Sequence, residues 1–407
     1  MTAEGGAPAP GVTLAAARIV TADAVREPGW VTIAGSSIVA VGGGAAPDPQ
    51  ARDLGDVTVV PGFVDAHVHG GGGAGITDGT EWAALRSRDA HFAHGTTSSM
   101  ASLVTASPQR LLDDVAMLAP LVANGDFAGI HLEGPWLSQR RAGAHDPALL
   151  RAPDAAEIAE LLAAGRSGTG NAVPTGVSLV TIAPELRGAM AAIEQFVEAG
   201  VVVAIGHTDA DYDTTRRAID AGATVATHLF NAMPALHHRE PGPVLALLND
   251  PRVTLELVAD GVHLHPDLMR WVVDVAGPER VALVTDAMAA AACGDGAYRL
   301  GALDVEVRDG VARLAGDEIG AIAGSTATMD ALFRAALGAG PVNPEALRAA
   351  VQMTATTPAR ALGWTGVGDL TPGLRADLVV LCSEHRVTDV MRSGRWLSEA
   401  ENADNSR

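Results

Sequence analysis

The central part of the chain alternates short apolar runs with helix-forming stretches, and this alternation restricts its fold more than any other feature. Eight apolar runs are predicted to be β-strands: Val59–Val64, Thr96–Ala101, Gly129–Leu132, Val177–Ile182, Val201–Ile205, Ala223–Thr227, Val253–Val258 and Val281–Thr285. Helical stretches lie between several of them: Ala155–Ala164, Leu186–Ala199, Tyr212–Ala221 and Pro266–Val275. Eight such units in roughly 250–300 residues are typical of a (β/α)8 barrel with a parallel sheet. An open, doubly wound sheet is the alternative.

Shorter strand-like runs flank this segment at both ends of the chain. They are Leu14–Val20, Trp30–Ala34, Ile38–Val41, Asp377–Leu381 and Val387–Met391. Neither end has enough strands for an independent domain, so the two ends are expected to combine. The sequence therefore predicts an α/β protein with a TIM-like barrel at residues 59–357, inserted between the two parts of a small β domain, residues 1–58 and 358–407. Two alternating runs after the eighth strand, Asp304–Val307 and Gly310–Leu314, predict an inserted hairpin.

Charge and cysteine content limit the classes of partner and compartment. The formal net charge of −20 argues against binding to nucleic acid or to an anionic membrane, although local arginines could still bind a small anion. Two cysteines form no disulfide framework, and no uncharged apolar run reaches the roughly 18 residues that a membrane span requires. The first residues lack a signal-peptide pattern. These observations predict a soluble cytoplasmic protein.

Several of the predicted strands end on residues that bind metals. His67 and His69 follow the first strand, Glu133 ends the third, and His207, His228 and Asp286 follow later ones. Because the carboxyl ends of parallel strands meet at one rim of a barrel, these side chains are expected to converge there. Imidazole and carboxylate groups are suitable metal ligands, and Asp286 is the candidate for proton transfer.

Each candidate has a simpler explanation that the sequence alone leaves open. Glu133 could cap a helix or pair with an arginine, and each histidine could be an ordinary buried side chain. The pattern as a whole favours ligands: His67 and His69 are two apart and share a strand face, while His207 and His228 are one βα unit apart. His131 is predicted to lie behind the site or in the core, and His91, His94 and His385 are predicted to be structural.

The chain contains no lysine. Schiff-base catalysis, a phosphate-loop lysine and a carbamylated lysine between two metals are therefore excluded. Any two-metal site must be bridged by Asp or Glu.

Several motifs together resemble those of the amidohydrolase superfamily, and more narrowly those of the N-acetylglucosamine-6-phosphate deacetylases. They are Pro61-Gly62-Phe63-Val64-Asp65-x-His67-x-His69, His131-Leu132-Glu133-Gly134-Pro135, Gly206-His207-Thr208, His228-Leu229-Phe230-Asn231-Ala232-Met233, Arg239-Glu240-Pro241-Gly242, Asp260-Gly261-x-His263 and Val284-Thr285-Asp286-Ala287. They occur in the family's order between about residues 14 and 397. The resemblance implies a metal-dependent barrel with a β-sandwich built from both termini.

The resemblance also implies roles for individual residues. Glu133, His207 and His228 would hold the main metal, and Asp286 would be the catalytic acid and base. Asn231, Ala232, Arg239 and His263 would bind the sugar or its phosphate, and His145 would lie by the acyl carbonyl. From the residues alone, Arg239 could instead form a salt bridge with Glu240, and His145 could be an exposed loop histidine.

The implied cofactor is a divalent metal ion, one or two per subunit. Family members differ at the first motif, and this chain keeps His67 and His69, so a second metal position is available. Nitrogen and oxygen ligands suit zinc, iron, manganese or cobalt, and zinc or iron is the expected ion. The family is commonly dimeric, which implies a homodimer.

The implied reaction is hydrolysis of the N-acetyl group of N-acetylglucosamine 6-phosphate. Two alternatives stand beside it: another amidohydrolase, such as one acting on a nucleobase or a cyclic amide, and a non-catalytic relative. The motifs of Arg239 and His263 favour a phosphorylated sugar over a nucleobase or a cyclic amide as the substrate. The complete set of candidate ligands argues against a non-catalytic relative.

Overall fold

The computed structural model of the chain describes residues 11–166, 176–316 and 320–398. The outer ends of the two predicted terminal segments, residues 1–10 and 399–407, lie outside the described residues. No helix in the described ranges is long and apolar enough to cross a membrane.

Eight parallel strands form one sheet in sequential order, which confirms the predicted barrel and excludes the doubly wound order. The strands are Phe63–Asp65, Thr96–Leu103, Gly129–Glu133, Val177–Ile182, Val202–Ile205, Val225–Ala226, Thr254–Leu257 and Val281–Leu283. The α-helices are Glu81–Ala93, Pro108–Ala123, Ala155–Arg166, Ala189–Glu198, Tyr212–Asp220, Gly242–Asn249, Pro266–Ala276, Met329–Leu337, Pro344–Val351 and Thr357–Ala361. Shorter helical turns are Ile76–Asp78, Gln139–Arg141, Pro278–Arg280 and the π-helical Gln352–Thr356.

Two further sheets come from the chain ends. A four-stranded sheet has the order Ser37–Gly43, Gly29–Ala34, Val12–Ala16, Arg52–Asp53. A six-stranded sheet, built from both termini as predicted, has the order Arg395–Trp396, Val387–Arg392, Leu378–Leu381, Thr58–Pro61, Arg18–Val20, Val25–Arg26. Alternate residues of a strand face opposite sides of its sheet. In the strand Leu378–Leu381, Val379 and Leu381 belong to the apolar core of the barrel, whereas Leu378 and Val380 belong to a second apolar core that includes the four-stranded sheet. The six-stranded sheet therefore packs on the four-stranded sheet on one side and on the barrel on the other.

The first predicted strand, Val59–Val64, is divided between these two parts. Thr58–Pro61 pairs with Leu378–Leu381 in the six-stranded sheet, whereas Phe63–Asp65 pairs with Thr96–Leu103 in the barrel. Gly62 lies at the change of sheet, where a Cβ would stand 2.2 Å from Thr97 Oγ1. Only glycine fits so close an approach, and the apolar run does not reveal it.

The predicted hairpin is part of a three-stranded antiparallel sheet, Gly296–Leu300, Leu303–Arg308 and Val311–Leu314. The first of these strands is absent from the sequence prediction. The inner face of this sheet packs on Val104 and on Met288–Ala290, which follow two barrel strands. The inserted sheet therefore forms a wall beside the carboxyl ends of the barrel strands.

The first and last barrel strands meet through side chains and loops. Asp65 is completely buried and accepts hydrogen bonds from Thr285 Oγ1 at 2.6 Å and from Thr285 N at 3.2 Å. Just beyond the strand ends, Asp286 N donates to His67 O and His69 N donates to Ala287 O, both at 2.8 Å. These contacts close the barrel at the point where two of the metal-ligand candidates and Asp286 emerge.

Replacing Thr285 by Val should lower the free energy of unfolding of the metal-free protein by about 1–3 kcal/mol, because the buried Asp65 carboxylate loses a hydroxyl donor. Thr285→Ser, which keeps the hydroxyl, is the matched control and should be less destabilised. Urea unfolding followed by circular dichroism measures both. A valine variant as stable as the wild type would show that this hydroxyl does not hold the closure.

Candidate metal centre and active site

The carboxyl ends of the barrel strands open into a cavity of about 320 Å³. Nine of the eleven predicted site residues line it: His69, Glu133, His145, His207, His228, Asn231, Ala232, His263 and Asp286. His67 lies just beneath, completely buried, with its Nε2 3.4 Å from Asp286 Oδ1. Arg239 is the exception and lies outside this cavity.

Glu133 is at the centre of the cluster, and its two oxygens face different histidines. Oε1 is 3.1 Å from His207 Nε2 and 3.1 Å from His228 Nε2, and these two nitrogens are 3.1 Å apart. The three atoms form a nearly equilateral triangle. Atoms bound to one zinc ion at about 2.0 Å in a tetrahedron lie about 3.3 Å apart, so the triangle fits a single metal ion.

The other oxygen of Glu133 belongs to a second group. Oε2 is 3.0 Å from His69 Nε2 and 3.3 Å from His67 Nε2, and these two nitrogens are 2.9 Å apart. Asp286 Oδ1 lies 3.4 Å from both. The buried histidines and carboxylates are compatible with one or two metal ions, and Glu133, which faces both groups, would be the carboxylate that two ions share.

Hydrogen bonds at Nδ1 direct two of the histidines toward the centre. His69 Nδ1 donates to Ser102 O at 3.1 Å, and His207 Nδ1 donates to Arg141 O at 2.8 Å. A proton on Nδ1 leaves the Nε2 lone pair free for a metal. Both backbone carbonyls therefore select the tautomer that a metal ligand needs.

His145 has the opposite arrangement. Its Nδ1 accepts a hydrogen bond from Thr105 N at 3.3 Å, so its proton is on Nε2, which faces Glu133 Oε2 at 3.5 Å. Burial lowers the pKa of His145 to about 4, which keeps the ring neutral at pH 7. In this tautomer, His145 can donate a hydrogen bond from Nε2 into the cavity.

The buried carboxylates of the cluster favour positive charge on the groups beside them. Burial opposes protonation of His67, but the carboxylates of Glu133 and Asp286 outweigh it and raise the pKa of His67 well above its usual range. Burial alone would raise the pKa of Asp286, yet the positive charge on His67 holds it below its usual range. Divalent cations could supply this charge in place of the protons.

The backbone is strained where the site residues leave their strands. His207, His228 and Asp286 have φ values of 46°, 26° and 47°, in the left-handed region that side chains with a Cβ avoid. Such conformations cost roughly 1–3 kcal/mol each and persist where the surroundings hold them. Ser325 N, for example, donates to Asp286 O at 2.7 Å.

Asn231, Ala232 and His263 also line the cavity. His263 Nδ1 donates to Asp260 Oδ2 at 2.8 Å. Burial disfavours protonation of His263, but the hydrogen bond to Asp260 outweighs it and raises the pKa of His263. The contact with Asp260 therefore favours the protonated ring, which is the form that can donate to an anion from Nε2.

Arg239 lies in a neighbouring surface cavity, which it shares with Asp209, Tyr212 and Glu240. Its Nη1 donates to His238 Nε2 at 2.8 Å, and no ion pair joins it to Glu240 in the described part of the chain. The structure of one chain thus does not bring Arg239 to the metal cluster.

Comparison with known proteins identifies the family. A sequence model described as "Amidohydrolase family" matches residues 58–397. The chain is 37% identical over 343 residues to an N-acetylgalactosamine-6-phosphate deacetylase of Escherichia coli O157:H7, covering 83% of this chain and 87% of that protein. It is 34% identical to an N-acetylglucosamine-6-phosphate deacetylase of Bos taurus, covering 98% of both.

The chain belongs to the amidohydrolase family.

One solved structure extends the likeness to nearly the whole fold. It is an aspartate-to-alanine mutant of N-acetyl-D-glucosamine-6-phosphate deacetylase from Mycobacterium smegmatis, in complex with N-acetyl-D-glucosamine-6-phosphate. The sequence identity is 52% and the TM-score is 0.90, and the match covers 95% of this chain and 99% of that one.

Several residues of this amidohydrolase site were not predicted. Asp65 and Thr285 join the strands that carry His67 and Asp286, and the carbonyls of Ser102 and Arg141 orient two histidines. Backbone carbonyls leave no sequence signal. Glu256, in contrast, could have been noticed in the sequence, because it is a single carboxylate inside the apolar run Val253–Val258.

Replacing Glu133 by Gln should weaken metal binding by more than the roughly 10- to 100-fold that loss of an outer partner costs, because both histidine groups lose a charged oxygen. Metal content after dialysis, measured by inductively coupled plasma mass spectrometry, tests this. Glu194→Gln, at an exposed position on the helix Ala189–Glu198, is the matched control and should keep the wild-type content. Unchanged metal in the Glu133 variant would contradict the bridging arrangement.

Proposed function

We propose that this amidohydrolase hydrolyses the N-acetyl group of N-acetylglucosamine 6-phosphate, giving glucosamine 6-phosphate and acetate. The observation that carries the proposal is the position of Asp286, whose Oδ1 lies 3.4 Å from the Nε2 atoms of His67 and His69 in a cavity that also holds a neutral donor histidine. The family match and the similarity to deacetylases of N-acetylated sugar phosphates support the substrate class.

Glu133, His207 and His228 would hold the principal metal ion, and His67 and His69 would complete a second position with Glu133 and Asp286. Zinc or iron is the proposed ion, since both accept nitrogen and oxygen ligands. When bound, such an ion lowers the pKa of a water molecule and polarises the acyl carbonyl. The protein's task is then to move protons and to orient the sugar.

Asp286 is the proposed general base and acid. Its lowered pKa keeps the carboxylate ionised, so that it can accept a proton from the attacking water as the oxygen adds to the amide carbon. When the carbon–nitrogen bond breaks, Asp286 returns this proton to the departing amine. The backbone contacts of Asp286 with His67 and Ser325 hold its carboxylate in place for both transfers.

His145 is the proposed donor to the acyl oxygen. Thr105 N holds its proton on Nε2, directed into the cavity, and the low pKa of the ring prevents it from competing for a second proton. A donor fixed before the reaction stabilises the negative charge that develops on the oxygen without reorganisation.

Three further residues that line the cavity suit the sugar phosphate. His263, held by Asp260, can donate to phosphate oxygens, and Asn231 and Ala232 line the same cavity. Arg239 is exposed and outside the cavity, so we propose that it acts on a phosphate in the site of a partner subunit, within a homodimer. Two free cysteines in the described chain are in keeping with the proposed cytoplasmic location.

The proposed substrate is tested by acetate release from three compounds: N-acetylglucosamine 6-phosphate, N-acetylglucosamine, and N-acetylgalactosamine 6-phosphate. The first should be hydrolysed with the highest kcat/KM. The unphosphorylated sugar should be a much poorer substrate because His263 then has no anion to bind. N-acetylgalactosamine 6-phosphate provides a comparison because a relative at 37% identity is an N-acetylgalactosamine-6-phosphate deacetylase.

Metal content measured on the same sample separates the alternatives. Preference for N-acetylgalactosamine 6-phosphate would change the proposed substrate but leave the proposed reaction, deacetylation, unchanged. Metal binding without release from any of the three would point to another amidohydrolase substrate. A protein with neither metal nor turnover would support a non-catalytic relative.

Replacing Asp286 by Asn should lower kcat by about 10²- to 10⁴-fold with a much smaller change in KM, because the amide cannot accept the proton. Steady-state kinetics and metal analysis of the same preparation measure this. Near-normal turnover would contradict the role of Asp286 as base. A loss of metal in proportion to the loss of kcat would show that Asp286 acts in metal binding alone and not as the base.

A further inference from the structure

Glu256 is a buried carboxylate inside the barrel that the proposed reaction does not use. It lies on the strand Thr254–Leu257 and is only 1% exposed. Its side chain is not among those that line the active-site cavity. No arginine comes within ion-pair distance of it in the part of the chain that the structure describes. A buried carboxylate without a cation is costly, so its presence calls for an explanation.

The side chain of His67 faces this carboxylate. Glu256 Oε2 lies 3.5 Å from His67 Nδ1, on the side of the ring opposite to the metal-facing Nε2. Neither atom has a hydrogen-bond partner among the described residues, and both are buried. Two complementary buried atoms that lack any other partner and face each other are placed to interact.

Two other histidines of the cluster show what such a contact does, whereas His228 Nδ1 has no partner among the described residues. His69 and His207 each donate from Nδ1 to a backbone carbonyl, which leaves Nε2 free for a metal. For His67, no carbonyl takes this position in the described structure, and Glu256 occupies it instead. A carboxylate at Nδ1 fixes the same tautomer and also makes the imidazole a stronger donor to the metal.

We infer that Glu256 is the positioning residue of His67, which it holds as a metal ligand by accepting the Nδ1 proton. The inference rests on the metal centre of the proposed function and not on its substrate. Metal binding can therefore support it even if the sugar phosphate is not hydrolysed. It also explains the buried charge, because a cation held by His67 lies across the ring from the carboxylate.

The test measures metal affinity in metal-free protein titrated with zinc against a chromophoric chelator. Glu256→Leu removes the acceptor and should weaken binding at the position of His67 by about 10- to 100-fold. Glu256→Gln keeps an acceptor oxygen and should recover part of that loss. Thr181→Val is the matched control: Thr181 is equally buried in the barrel but bonds to His131 and Thr227, so the affinity should not change.

A double-mutant cycle with His67→Ala decides whether Glu256 acts through His67. In that background, Glu256→Leu should have no further effect on metal affinity. An equal loss with and without His67, or no loss in the wild-type background, would overturn the inference. Thermal unfolding of the metal-free proteins separates folding from positioning. The leucine variant should be at least as stable as the wild type without metal and should gain less stability when zinc is added.

Discussion

The buried carboxylate of Glu133 and the histidine nitrogens around it form the interaction on which the rest of the structure depends. One oxygen faces His207 and His228, and the other faces His67 and His69. This concentration of donor atoms in a buried site is tolerable only because opposite charge, from protons or from metal ions, is held between them. The strained backbone of His207, His228 and Asp286 and the carbonyls behind the rings serve to keep this geometry.

The closure of the barrel and the construction of the site use the same residues. Asp65 and Thr285 join the first and last strands, and the next residues along each strand supply His67 and Asp286. The six-stranded terminal sheet supports this arrangement from outside, because Thr58–Pro61 runs directly into the first barrel strand. Stability of the closed barrel and alignment of the proposed proton-transfer group are thus coupled through a few buried hydrogen bonds.

Tautomer selection separates residues that look alike in the sequence. His145 and His207 are both buried histidines beside Glu133, and they lie in one candidate metal-binding cluster. An amide N–H behind His145 places its proton toward the cavity, whereas a carbonyl behind His207 places its proton away from it. The first ring can then donate to a substrate oxygen and the second can bind a metal. The proposed division between catalysis and metal binding follows from one backbone contact on each ring.

The sequence by itself determined the barrel, the terminal sheet, the family and the gathering of His67, His69, Glu133, His207, His228 and Asp286 at one rim. Local periodicity and strand order carry that information, because the ends of parallel strands must meet. Only the tertiary structure decided that Val59–Val64 divides between two sheets, that Arg239 lies outside the cavity of its own chain, and that Glu256 stands behind His67. These features depend on contacts between residues far apart in the chain, such as Gly62 with Thr97, and on which backbone group lies behind each ring. Neither is encoded in a local pattern of residue types.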